Sequence, residues 1–306
     1  MDRRIKIRHL QAFVEITRRK SLKRAAERLF LTQPAISRTL AELEDILGAT
    51  LLERGRGGVA LTAQGEFFHG FALASLSALE RGLGGMQAFG SQARMVLRVG
   101  ALPSVAARLM PEVIADLPQL APDLRLIITD GSHEHLIGLL NRGELDMVLG
   151  RQGEPETMRG ISFTQLYLEE VALVVRPGHP ILEDPDIRRI GEWPVIYPPE
   201  KSAIRPLVRR QFLADGVALP PNRVETVSGD FGRARTRGSD SIWIISAGVV
   251  AHEIAQGTLV RLPVDMALTR GPVGVMVRAG EDDTAERRLF LQALDRTATR
   301  LALFAP

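Results

Sequence analysis

The stretch SLKRAAERLFLTQPAISRTLAELEDIL, Ser21 to Leu47, carries two apolar stripes at helical spacing on either side of a short break. The first is Leu22, Ala25, Ala26 and Leu29. The second is Ile36, Leu40, Leu43 and Leu47, with offsets of four, three and four, so each segment has one apolar face. Between them, Thr32 is a good helix N-cap, and Pro34 falls in a first turn, where its missing N–H costs little. The stretch predicts a helix, a tight turn and a helix. Opposite its stripe the second helix presents Gln33, Ser37, Arg38 and Ala41. Amide, hydroxyl and guanidinium groups at a leading helix end are the types that read base edges and hold phosphates in a major groove. A helical hairpin buried in a core has the same spacing, and two further features separate the readings. The first 40 residues hold eleven Lys or Arg against three Asp or Glu. Directly downstream, Arg54-Gly55-Arg56-Gly57-Gly58-Val59-Ala60-Leu61 reads as a β-hairpin wing, with two arginines placed to reach backbone phosphate or a minor groove.

Around this core the chain has room for about two domains in its 306 residues. Residues 1–90 carry 14 basic and 9 acidic residues, while the remainder carries 25 and 27. A basic first part on a near-neutral second part suits a nucleic-acid module joined to something else. Cysteine is absent, which excludes disulfides, thiolate metal sites and cysteine nucleophiles. There is no run of 18 apolar residues, and MDRRIKIRHL has no apolar signal region, so the expectation is a cytoplasmic protein without membrane association.

Upstream, residues 5–18 read as a helix with Leu10, Phe13, Val14 and Thr17 on one face. Downstream, Thr62 caps a long helix to about Phe89. Its Ala72, Leu76, Leu79, Leu83 and Met86 alternate offsets of four and three, a seam suited to pairing or to burial on its own domain. Gly82, Gly84 and Gly85 weaken its end, by roughly 1 kcal/mol each relative to alanine, and mark a possible hinge. From Met95 strands alternate with helices. Strands at 95–100, 124–129 and 145–150 are separated by helices at 105–117 and 135–141. A strand pair at 161–175 follows, then a second strand–helix series from 194 to 262, a strand at 274–277 and a closing helix at 284–303. Apolar runs between helices indicate parallel sheets covered on both faces. Two such α/β halves bind ligands in the crevice between them, at strand C-terminal ends.

Ser21 through Gly65 resembles the N-terminal winged helix-turn-helix of the LysR-type transcriptional regulators. The resemblance rests on Ala25-Ala26, Leu29, Thr32-Gln33-Pro34-Ala35-Ile36-Ser37, Leu43-Glu44, Leu47-Gly48, Leu51, Arg54, and Leu61-Thr62 with Gly65. Leu52 departs from the family's usual Phe, and Arg56 lies two residues past Arg54 rather than three. Arg176-Pro177-Gly178-His179-Pro180 matches the family's turn after the first interdomain crossover. The resemblance implies an α/β protein with an N-terminal all-α winged helix-turn-helix at 1–61 and a linker and dimerisation helix at 62–93. An effector domain like a periplasmic solute-binding protein occupies 94–306, with one subdomain at about 94–168 and 271–306 and the other at about 169–270. It implies DNA contacts from Ser21, Lys23, Arg24, Thr32, Gln33, Pro34, Ser37, Arg38, Arg54 and Arg56. Its implied partners are a duplex DNA operator, a small-molecule effector, RNA polymerase and further copies of the chain, as a homodimer or homotetramer.

Effector residues are expected where strands end. Leu102, Pro103 and Ser104 follow the first strand, Ser132 the second and Arg151 the third; in the other half come Ser202 with Arg205, then Ser228 with Phe231, then Ser246. Each serine alone reads as a helix cap and each arginine as a surface charge. Their common position raises a binding site, in which Arg151 and Arg205 suit bidentate grip of a small carboxylate. Val99-Gly100-Ala101-Leu102-Pro103, Arg205-Pro206, Glu225-Thr226-Val227-Ser228, Phe231-Gly232-Arg233-Ala234, Ile242-Trp243-Ile244-Ile245-Ser246 and Thr269-Arg270-Gly271-Pro272-Val273-Gly274 resemble a subgroup of the family. That subgroup includes an activator of the protocatechuate (β-ketoadipate pathway) operon and regulators of sugar-binding-protein genes. It implies an activator of aromatic-acid catabolism with a tricarboxylate-type muconate inducer, or alternatively a sugar-responsive regulator.

Catalytic signatures are scarce in the chain. His133-Glu134-His135 places two histidines at i, i+2, not on one helix face, and reads as surface. No Gly-x-Ser-x-Gly and no P-loop occur, Gly55-Arg56-Gly57-Gly58 is too short to cradle phosphate, and Asp130 and Asp146 have no visible partner. No catalytic residue, cofactor or metal is expected. A non-regulatory solute-binding or architectural DNA protein is the remaining alternative.

Overall fold

A computed structural model describes residues 4–55, 58–87 and 95–303. The chain divides into two compact units, Met1–Ala93 with Asn141–Glu144, and Arg94–Leu140 with Leu145–Pro306.

The first unit begins with α1 (Ile7–Arg19), α2 (Leu22–Arg28) and α3 (Gln33–Leu47). Ser21 caps α2 by accepting from Arg24 N, and Thr32 caps α3 by accepting from Ala35 N. The turn between them is set by Phe30 at φ 56°, and α3 ends on Gly48 at φ 63°, a left-handed conformation that glycine adopts without strain. Leu22, Ala25, Ala26, Ile36, Leu40 and Leu43 meet Ala12, Phe13 and Ile16 of α1 in one core. The buried face of α1 is thus His9, Ala12, Phe13 and Ile16, with Leu10 and Val14 only at its margin. The wing is β1 (Leu52–Gly55) antiparallel to β2 (Gly58–Leu61). Glu44 explains why the chain turns into it: its Oε1 accepts from Leu51 N at 2.7 Å and Leu52 N at 3.2 Å. Thr62 then caps α4 (Ala63–Gln87) by accepting from Gly65 N at 3.0 Å.

Helix α4 runs through Gly82, Gly84 and Gly85, as the long helix expected after Thr62 does, and Phe89 lies outside the described residues. Its expected seam, however, is split. Ala72 is buried in the winged core, whereas Leu79 and Leu83 are exposed and are joined by Phe67 and Phe71, whose rings stand 5.2 Å apart. The side chain of Met86 is outside the described set.

The second unit contains two five-stranded sheets. One is built from β3 (Met95–Ala101), β4 (Leu124–Asp130), β5 (Met147–Arg151), β6 (Ile161–Glu169) and a late strand, Gly271–Arg278. Helices α5 (Pro103–Arg108), α6 (Met110–Leu120) and α7 (His133–Asn141) connect its parallel members; the expected single helix at 105–117 is two. The other sheet contains β7 (Val171–Val175), β8 (Val195–Tyr197), β9 (Arg223–Glu225), β10 (Ile242–Ser246) and β11 (Val260–Arg261). Its helices are α8 (Arg205–Ala214), α9 (Gly229–Arg237) and α10 (Ala251–Ala255). The late strand is β12, and α11 (Ala285–Arg300) closes the chain against α6. Each sheet has its own apolar core, one around Val99, Leu109, Val113 and Phe290, the other around Val174, Ile196, Phe212 and Trp243.

Both sheets are mixed rather than purely parallel, because β12 runs antiparallel to β5 and β6, and β7 antiparallel to β10. The expected strand pair at 161–175 does not pair with itself: β6 belongs to the first sheet and β7 to the second. The chain crosses between sheets at Glu169–Val171 and returns at Thr269–Gly271, where Val171 N donates to Thr269 Oγ1 at 2.9 Å. In the turn after β7, buried His179 accepts from Ile181 N through Nδ1, leaving Nε2 to donate to the Asp240 carbonyl, and its ring meets Trp193 edge-on. Asp146 has a partner after all, accepting from Arg98 N at 2.7 Å.

Candidate nucleic-acid interface and ligand cleft

In the first unit the fold leaves the leading end of α3 open. Gln33, Pro34, Arg38 and Ala41 are exposed and Ser37 is half-buried. Thr32 spends its hydroxyl on the cap, as does Ser21 on α2. Among the described residues, Lys23, Arg24 and Arg38 enter no ion pair, so their charges remain available to phosphate. Arg56 lies outside the described residues, and of Arg54 only the backbone is described.

In the second unit a cleft opens where β3, β4, β8 and β10 end. Its inner chamber, of ≈ 70 Å³, is lined by Leu102, Pro103, Ser104, Ser132, Arg151, Ser202 and Ser246, all expected, and by His133, Lys201 and Val227, which were not. An outer chamber of ≈ 380 Å³ shares His133, Arg151, Lys201 and Ser202 and adds Glu134, Glu154 and Glu200.

Three expected residues stand elsewhere. Arg205 turns back over the Tyr197 ring at 4.6 Å, donates to the Pro198 carbonyl at 2.6 Å, and is held by Glu200 at 3.2 Å and Glu225 at 3.3 Å. It borders a separate groove with Phe212 and Leu219. Ser228 and Phe231 are exposed. The Ser228 hydroxyl caps α9, and the preceding Val227 is the residue of that loop that reaches the cleft.

Arg151 lines the cleft with its terminal nitrogens held by the crossovers and its charge paired with Glu169. Its Nη2 donates to the Glu169 carbonyl at 2.9 Å and its Nη1 to the Thr269 carbonyl at 3.4 Å, so one guanidinium clasps both crossovers. The Glu169 carboxylate lies 3.5 Å from the same guanidinium and accepts from Gly248 N at 3.1 Å. Burial pushes Glu169 above the usual carboxylate range, opposed by Arg151 and by the Ser104 hydroxyl beside it. Ser104 is therefore not the cap of α5; it lies inside that helix, buried against Glu169. Ser202 and Ser246 also make no cap bond, whereas Ser132 caps α7.

His133 is the clearest miss. It is buried, not a surface residue, and its Nε2 meets Thr157 Oγ1 at 3.1 Å. The Thr157 hydroxyl donates to the Glu154 carbonyl, which leaves Nε2–H as the donor to Thr157. Burial pulls its pKa below the ordinary histidine value, so the ring is neutral. The signal was present: His133 lies three and seven residues before Leu136 and Leu140, on the buried face of α7.

A winged helix-turn-helix carried by a chain that also folds into a two-lobed α/β cleft defines a DNA-binding protein that senses a small molecule. Comparison with known proteins gives the family. Residues 7–66 match the bacterial regulatory helix-turn-helix protein, lysR family, and residues 90–299 match the LysR substrate binding domain. The chain is 43% identical over 304 residues to the HTH-type transcriptional regulator PcaQ of Agrobacterium fabrum, covering 98% of this chain and 97% of that one. It is 36% identical to the uncharacterized HTH-type transcriptional regulator YdcI of Escherichia coli, with 97% of each covered. Among solved structures, the LysR family regulator CbnR aligns with a TM-score of 0.61 at 20% identity, covering 96% of this chain and 99% of that one, a likeness of fold. The chain belongs to the LysR family: it is a LysR-type transcriptional regulator, and its relatives are regulators and not enzymes. Among the described residues no helix is long and apolar enough to cross a membrane.

Proposed function

We propose that this regulator activates an aromatic-acid catabolic operon of the protocatechuate type, with a small carboxylate as effector. The observation that carries the reading is the inner chamber, where Lys201 and Arg151 stand among serine hydroxyls and no carboxylate lines the wall. The 43% identity to PcaQ supports the pathway. On the DNA side, Gln33, Ser37 and Arg38 enter the major groove. Thr32 and Pro34 set the helix entry, Ser21, Lys23 and Arg24 meet the backbone beside it, and Arg54 and Arg56 hold the flank. Exposed Phe67, Phe71, Leu79 and Leu83 on α4 support pairing of two copies, and two such pairs make a homotetramer on a pseudo-palindromic operator. Effector binding favours one arrangement of the DNA-binding units over another and so changes access of RNA polymerase.

The hydroxyls of Ser104, Ser132, Ser202 and Ser246 favour a second reading, a sugar effector and sugar-uptake genes. A thermal-shift screen of the full chain separates the two, using protocatechuate, muconates, carboxymuconates and common sugars. At about 100 times Kd, a true effector stabilises by about 2.7 kcal/mol. A shift with an acid supports the aromatic reading, and a shift with a neutral sugar alone replaces it.

A further inference from the structure

We propose that Lys201 is the cation that receives the effector's carboxylate, that Glu134 is its resting counter-ion, and that the effector is a hydroxylated monocarboxylate. The inference rests on the carboxylate reading of the same cleft and specifies it.

Three candidate cations, Arg151, His133 and Lys201, line the cleft and Arg205 stands outside it; all but one are eliminated by their surroundings. Arg151 is buried, donates from both terminal nitrogens to the Glu169 and Thr269 carbonyls, and has its charge already paired with the Glu169 carboxylate, which holds it in the wall. Arg205 faces Tyr197 and Pro198, away from both chambers. His133 is buried and neutral. Lys201 remains. It sits in the loop between β8 and α8, lines both chambers, and is 79% exposed at its side chain.

Its one ion pair among the described residues is with Glu134, whose Oε2 lies 2.9 Å and Oε1 3.4 Å from Nζ. Glu134 belongs to α7 on the first sheet and Lys201 to the second, so the pair straps the two lobes across the cleft mouth. Both partners are exposed, and such pairs contribute between zero and about 1 kcal/mol. The strap is therefore easily exchanged. A ligand carboxylate in the inner chamber, with less screening by water, competes well for the same ammonium.

The two chambers differ in sign. The inner wall holds Lys201 and Arg151 and no carboxylate, whereas the outer wall adds Glu134, Glu154 and Glu200, of which Glu200 is paired with Arg205 and Glu154 and Glu134 carry the excess once Lys201 turns inward. A second or third carboxylate reaching into the outer chamber meets like charge. Hydroxyl groups there meet acceptors, since ionised carboxylates only accept. One carboxylate inward and hydroxyls outward is the complementary pattern. Hydroxybenzoates such as protocatechuate and sugar acids such as gluconate both carry it.

Calorimetric titration of the full chain with protocatechuate, gluconate, β-carboxymuconate and glucose tests this. Protocatechuate or gluconate is expected to bind more tightly than carboxymuconate and glucose, and which of the two binds names the source. Lys201→Met is expected to weaken that acid about tenfold, the scale of a lost charge-assisted hydrogen bond. Glu134→Gln, which removes the competitor, is expected to tighten it by up to about fivefold. Both positions are exposed, and an unchanged melting temperature checks that each variant is folded. Wild-type affinity in Lys201→Met, or no tightening in Glu134→Gln, overturns the exchange while the carboxylate reading stands. Preference for carboxymuconate overturns the monocarboxylate selection alone. Binding of glucose only, or of none of the acids, removes the carboxylate reading and this inference with it.

Discussion

Arg151 Nη2 donates to the Glu169 main-chain carbonyl at 2.9 Å while lying 3.5 Å from the Glu169 carboxylate. The same side chain thus fixes the point where the chain leaves the first sheet and neutralises the acid buried there. Both residues are under 5% exposed. Removing one partner of a buried pair strands the other, so Arg151→Met is expected to destabilise the effector domain by about 3–5 kcal/mol. Adding Glu169→Gln to it should recover part of that loss, because the stranded charge is gone. Urea unfolding of the single and double variants measures both, and additive losses would contradict the pairing.

Glu169 also predicts a pH dependence. Burial, opposed by Arg151, raises its folded pKa above that of the unfolded chain. Between those two values the native state holds a proton that the unfolded chain has released, so this group's contribution to stability falls as pH rises through that window. Its cost is absent below the ordinary carboxylate range and fully present above the raised value. Glu169→Gln keeps an oxygen to accept from Gly248 N and removes the titration. Relative to wild type, the variant should gain stability as pH rises above the ordinary carboxylate range. Parallel melting profiles above that range would refute it.

Glu44 joins the recognition helix to the wing through two main-chain bonds, to Leu51 and Leu52. Glu44→Ala leaves both N–H groups without that acceptor, at a cost of about 1–3 kcal/mol for each group that water does not reach. The winged unit should unfold at lower temperature while the effector domain's transition stays in place. A single unshifted transition would contradict this.

Arg38 is exposed on the open face of α3 and makes no ion pair among the described residues. Arg38→Ala should weaken operator binding by about 1–3 kcal/mol. As a surface substitution it should change folding stability by no more than about 0.5 kcal/mol. Unchanged operator affinity at matched salt would remove Arg38 from the interface.

The helix-turn-helix was legible because its determinants are local: a cap at Thr32, a proline in the first turn, and apolar offsets of three and four. Ser104, Ser132, Ser202 and Ser246 were legible for a topological reason, since loops at strand C-termini converge in such sheets. What was not legible depends on tertiary direction. The position of Arg205 was readable, but Tyr197 and Pro198 decide where its guanidinium points. Helix α4 has two apolar faces, and only packing on Phe13 decides that Phe68 turns inward while Phe67 and Phe71 stay out. Strands β6 and β7 look like a hairpin locally because sheet membership leaves no mark on the single residue, Glu170, between them.

The central claim is that a ligand in the effector cleft moves the DNA-binding units. Its most direct test is a footprint of the full chain on duplexes selected from random DNA, with and without the acid that shifts its melting temperature. The account predicts a two-fold site with half-sites spaced by whole helical turns, of about 10 base pairs each. It also predicts a protected region whose length or hypersensitive positions change when the acid is added. A footprint identical in both conditions, with the acid demonstrably bound, would contradict it.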